Sequence, residues 1–163
     1  MANSDKPRGA VPKGIPLRQN RYVAGGTVYP GDFVAFDNAG KVVAGTDTGA
    51  ALGVAANYAT TGQNLDVYDH PDQLFVIQSD DATEPAAQTA CNLNYEIEAT
   101  TGDTLFKTSR MEFDGSTGAT NSNLPIKLLS VEGVPGNDFG GYADCIVKIN
   151  NHQLTGGTGT LGV

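Results

Sequence analysis

At 163 residues the chain is long enough for one domain with a core of its own, and 21 glycines, no tryptophan and only 17% charged residues favour turns and short strands over helices. A net charge of −8 argues against general affinity for nucleic acid or anionic membranes, and no run of 18 apolar residues offers a helical span. The charge is unevenly divided. Lys6, Arg8, Lys13, Arg18 and Arg21 against Asp5 leave the first 21 residues at +4, whereas the remainder sets five cations against seventeen acids, −12. Pro7, Pro12 and Pro16, with Gly9 and Gly14 between them, interrupt any helical or alternating period, so residues 1–21 are expected to form an extended basic arm. Fully extended, it would reach roughly 60–70 Å.

From Tyr22 the pattern changes to short strands. Residues 22–29 form a candidate strand bent at Gly25-Gly26, and 32–36 and 41–44 flank the hairpin turn 37–40. The small residues of 51–58 suit the close approach of two sheets. Residues 65–68 alternate, with Leu65 and Val67 on one face, whereas 73–79 (QLFVIQS) is apolar on both faces and is expected to be central. Residues 84–92 are the best helix candidate, one or two turns with Pro85 in the first. In 95–98, Tyr95 and Ile97 point in and Glu96 and Glu98 out. Short strands are expected at 104–107 and 110–113, then a polar loop over 114–123. Strands at 124–131, with Pro125 at its start, and at 143–150 complete the body, and 155–163 is expected to be a loose Gly/Thr-rich tail. About ten short strands read as an all-β fold, a single sandwich or small barrel over residues 22–154.

Searching for chemistry turns up little. His70 lies in a turn and His152 in a polar run, and there is no G-x-S-x-G, Walker or H-E-x-x-H pattern, so no catalytic residue, cofactor or small-molecule substrate is expected. Asp66, Asp69 and Asp72 lie close to His70, and Asp80, Asp81 and Glu84 follow. Hard cations take six to eight oxygens from such clusters, but turn chemistry accounts for these acids and no metal site is expected. Cys91 and Cys145 lack zinc or redox spacing. No apolar segment follows the N-terminus, so no secretory signal is expected and the thiols are expected to be reduced and buried. The arm could be a solubilising tail or a phosphate-neutralising segment, although no stacking aromatic precedes Tyr22. The favoured reading is a protein-binding arm that crosses an acidic partner or adds to a sheet edge. Ordering it costs entropy, so many copies or body contacts must cooperate.

Several stretches then point to a family. The opening MANSDKPRGAVP, the segment GDFVAFDNAGKVVAGTDTGAALGVA and the run DHPDQLFVIQSDD resemble tailed-phage capsid decoration, or cement, proteins. So do NYEI, SRMEFDGST and LPIKLLSVEGVPGNDFGGYADCIVKINNHQL, and the likeness spans residues 2–154. No single piece is a signature; the order and number of pieces carry the resemblance. It implies a non-enzymatic virion protein on the outer surface of a phage head, made in the host cytoplasm, binding the major capsid protein and stabilising the shell against internal DNA pressure. It also implies a homo-oligomer, with a trimer favoured over a dimer, and a β-tulip-like body with a jelly roll as the alternative. The residues expected to grip acidic capsid groups are Lys6, Arg8, Lys13, Arg18 and Arg21, with Tyr22 continuing as strand pairing. A tail or fibre-base component, or a glycan-binding surface module, is the alternative function.

Overall fold

The structure, a computed structural model, describes residues 3–157 and 159–163. The first strands are β1 (Val11–Pro12), β2 (Asn20–Val23), β3 (Phe33–Phe36), β4 (Val42–Ala44), β5 (Gly53–Ala55) and β6 (Asn64–Tyr68). They are followed by β7 (Leu74–Gln78), β8 (Asn94–Tyr95), β9 (Ile97–Glu98), β10 (Glu112–Phe113), β11 (Ile126–Val131) and β12 (Asp144–Ile149). The fold is all-β. One five-stranded sheet runs β1-β7-β12-β11-β8, a second runs β2-β6-β5-β3-β4, and β10 and β9 form a small third. Every ladder is antiparallel.

Two apolar cores explain why the sheets stack. The larger lies between the sheets, where Phe33 and Val54 of the second meet Phe75, Ile77 and Val147 of the first. Phe33 and Phe75 pack edge to face at 6.1 Å, the favoured aromatic geometry. The smaller core lies on the far face of the second sheet, among Val34, Val42, Leu65 and Val67, with Leu52 from the chain entering β5. Neighbouring residues of one strand therefore serve opposite cores, as period-two side chains must. Phe33 and Val54 face one, Val34 and Ala55 the other. That is why DFVAF and ALGVA are apolar on both faces.

The strands expected around 32–36, 41–44, 65–68, 73–79, 124–131 and 143–150 are all present. Three local expectations are corrected. The helix at 84–92 is a single 3-10 turn, Gln88–Ala90, because Ala87 is extended and the Tyr95 hydroxyl donates to the Ala90 carbonyl. The strand at 104–107 is a turn closed by the Asp103–Thr108 bridge. The strand at 95–98 is split between two sheets, since the Ile97 amide turns away to the Asp47 carbonyl.

The C-terminal residues, expected to be loose, are tied to the first sheet. The buried Asn94 amide donates to the Thr160 carbonyl at 2.7 Å, the Lys127 ammonium to the Leu161 carbonyl, and the Val163 amide to the Asn92 carbonyl. Cys145 is buried in β12 and Cys91 is half-buried; both are free thiols. Burial pushes both thiols above their ordinary pKa.

Candidate interaction surface

The basic arm lies on its own body, strapped across both sheets. β1 pairs with β7 in the register Val11 to Val76, and β2 pairs with β6 in the register Tyr22 to Leu65. Without these pairings β7 and β6 would end their sheets with open rows of backbone donors and acceptors, a template for unwanted pairing. The apolar run 74–77 is thus central, as its pattern demands, because the arm supplies one of its two neighbours.

Charge follows the same route. Arg8 pairs with Asp144 at 2.9 Å, Lys13 with Glu132 at 2.5 Å, Arg18 with Asp69 at 2.7 Å and Arg21 with Asp66 at 2.8 Å. Four of the five cations expected to meet a partner's acids therefore already meet acids of this chain. Lys6 has no ion pair among the described residues, but its amide donates to the Gln78 side-chain oxygen. Arg21 holds the Asp66 carboxyl below its ordinary range through paired hydrogen bonds.

Arg18, Asn20 and Tyr22 converge on one carboxylate. The Asp69 side chain is fully buried and accepts from Arg18 Nε, Asn20 Nδ2 at 2.8 Å and the Tyr22 hydroxyl, while its carbonyl accepts from Arg18 Nη2. Burial alone would raise the Asp69 pKa; the hydrogen bonds from Tyr22, Arg18 and Asn20 outweigh it and hold the carboxyl below its ordinary value. Burial and the adjoining carboxylate push the Tyr22 phenol up to about 12. This knot fastens the arm where it enters the body.

Two residues that sequence reasoning passed over complete the strap. Gln73 and Gln78, both nearly fully buried, bracket the apolar run of β7. The Gln73 side-chain oxygen accepts from the Leu17 amide, and Gln78 accepts from the Lys6 amide while donating to the Ser4 carbonyl. Glutamines at both ends of an otherwise apolar strand were the available signal: a buried amide needs backbone partners.

A second feature faces solvent. Leu105 and Phe106 are 79% and 74% exposed at the tip of the turn that replaced the expected strand. The Asp103 carboxylate accepts from the Leu105 and Phe106 amides and from Arg110, and the Lys107 ammonium lies 4.6 Å from the centre of the Tyr58 ring. Asp at the start of a turn, bonded to amides two and three residues on, is ordinary Asx-turn chemistry and could have been read from DTLF. The turn holds two large apolar side chains in water on a fixed backbone.

Several other polar groups serve structure. His152 is buried, and its Nδ1 accepts from the Leu154 amide, capping the 3-10 turn Gln153–Thr155; burial lowers its pKa. Asp72 meets Lys148, and Asp81 caps the turn at Thr83. Asp80, Glu98 and Asp114 each place a carboxylate oxygen within 4.8 Å of the others, an arrangement chemically able to attract a hard cation. Beside them Glu112, opposite Glu98 in the ladder, is pushed up to about 7 by burial and by the charges of Asp5, Asp80 and Glu98. Compared with known proteins, the chain matches no family model and no curated sequence.

Proposed function

We propose that this chain is a virion structural protein of a tailed phage, a homotrimer on the outer surface of the head that cements neighbouring major capsid proteins and performs no catalysis. The likeness of its ordered sequence segments to decoration proteins supports the reading, and the observation that carries it is the Leu105–Phe106 turn. Large apolar side chains held in water on a rigid turn are the form of an anchor for a partner's pocket, where aromatic residues contribute most to binding. Each contact is modest, and a symmetric lattice multiplies it. The arm cations Arg8, Lys13, Arg18 and Arg21 are a second set of contacts. Released from Asp144, Glu132, Asp69 and Asp66, they would pair with acidic capsid groups, and added salt would weaken that share of the attachment.

The test is binding of purified protein to expanded heads. Saturation should reach copies on the order of hundreds per head, and Phe106→Asp should weaken binding by at least about tenfold without unfolding the chain. Deleting residues 2–20 should weaken it further and lower virion heat resistance. A few copies per virion, or binding indifferent to both changes, overturns the reading.

A further inference from the structure

We propose that the edge of β7 is a strand-binding site that accepts the arm of a second copy of this chain, so that residues 3–13 exchange between neighbours. The site is built for extended backbone: Gln78 accepts from the Lys6 amide and donates to the Ser4 carbonyl at one end, and the Leu74 carbonyl accepts from the Lys13 amide at 2.8 Å at the other. Its details fit this arm and not strands in general. Gly9 has φ +74°, and a Cβ there would stand 2.4 Å from Ser109 Cβ and 2.7 Å from the Gly31 carbonyl oxygen, so the occupant needs glycine at that point. One residue before it a cation must meet Asp144, and four after it a cation must meet Glu132, as Arg8 and Lys13 do. That combination names the occupant as this chain's own arm or its copy.

Little holds the arm to its own body in preference to a neighbour's. Ala10 is the one fully buried apolar side chain in residues 3–13, so the grip is backbone pairing, Gln78 and part-exposed ion pairs. An exchanged arm makes the same contacts, and the balance is set by association entropy against the conformation of the hinge. The hinge, residues 14–17, is exposed, with Ile15 89% exposed and Pro16 biasing it towards extension, and exchange opens the bond from the Leu17 amide to Gln73. The five Cα steps from Lys13 to Arg18, which stays on Asp69, span about 17 Å when extended, enough to cross to a touching neighbour. Exchange is a property of the purified chain, so its failure would leave the head-binding reading standing, and failure of head binding would leave exchange standing.

The decisive measurement uses the wild-type chain. Equal amounts of 15N-labelled and unlabelled protein are mixed, incubated at increasing concentration and treated with a carbodiimide, which joins Lys13 to Glu132. Mass spectrometry should find the joined peptides carrying one label from each chain, in a share that rises with concentration. A second measurement uses Val11→Cys with Val76→Cys in a Cys91→Ser, Cys145→Ala background; oxidation should give disulfide-linked multimers on non-reducing gels. Same-label peptides at every concentration together with purely monomeric disulfides overturn the exchange. So does the lack of either product, which would take the arm off β7 altogether.

Discussion

The strap and the two cores are held by different physics. The cores consist of apolar side chains from distant strands, with Phe33, Val34, Val54, Phe75 and Val147 all fully buried. The strap consists of exposed side chains, ion pairs and borrowed backbone bonds, with Ala10 as its one buried apolar group among the described residues before β2. Burial is non-directional and strong; part-exposed ion pairs each contribute on the order of 1 kcal/mol or less. The body should therefore unfold as a unit, whereas the strap should open locally at lower cost. A segment that must find its place reversibly is better fastened the second way.

The largest effect should come from the core. Phe75→Ala removes one ring of the inter-sheet pair and should cost about 3–5 kcal/mol in guanidinium unfolding, with strap and body lost together. A comparable loss on deleting residues 2–12 would break the comparison, because the strap would then be part of the core.

Gly9→Ala attacks the strap alone. Positive φ with a side chain costs about 1–2 kcal/mol, and the close contacts with Ser109 and Gly31 add to it. Amide exchange at Ala10 and Lys13 should quicken while β11 and β12 stay protected. Uniform quickening would show that the strap does not open on its own.

Asp69→Asn should cost about 1–2 kcal/mol, a figure lowered because Arg18 is part exposed and can rehydrate. Its sharper readout is the phenol: the Tyr22 titration, near 12 in the wild type, should fall towards 10 in ultraviolet absorbance, with Tyr22→Phe identifying the signal. A raised folded-state pKa stabilises below about pH 10 and is lost as pH climbs through 12, so the phenol's share of the knot is lost in alkali, whereas the share of the Asp69 carboxyl, held below its ordinary value, is lost as pH falls into the acid range.

The smallest effect concerns the arm's leading end. Glu112 has its folded-state pKa raised to about 7, so its stabilising contribution is full below about pH 4.5 and lost as pH rises through 7. Above that pH its charge opposes Asp5, Asp80 and Glu98. Glu112→Gln should therefore be more stable than the wild type at pH 8 and about equal to it at pH 4, with the difference strongest in the protection of the Lys6 amide. An equal gain at both pH values would assign the effect to packing and not to charge.

Much of this was legible in the residues. QLFVIQS announced a central strand and DFVAF a strand, and the alternation of Cys145, Val147 and Ile149 placed three apolar side chains on one face of β12. The split of charge announced an arm seeking acids. What the pattern could not say was whose acids, because an ion pair between positions 8 and 144 leaves no trace in local periodicity. The DTLF turn reads as a strand because Thr104 and Phe106 favour strands by type, while Asp103 accepting from two amides overrides propensity. The helix at 84–92 failed for a similar reason: a short alanine-rich stretch has no apolar face to bury, and tertiary bonds took its backbone.

By itself, then, the sequence determined an all-β body and a basic arm set apart from it, since composition and period-two burial are local properties. Tertiary structure alone decided that the arm closes the edges of β7 and β6 on its own body and that Asp69 becomes its knot. Those outcomes depend on pairings between positions tens of residues apart, where the energy lies in which groups meet and not in what any window of the chain prefers.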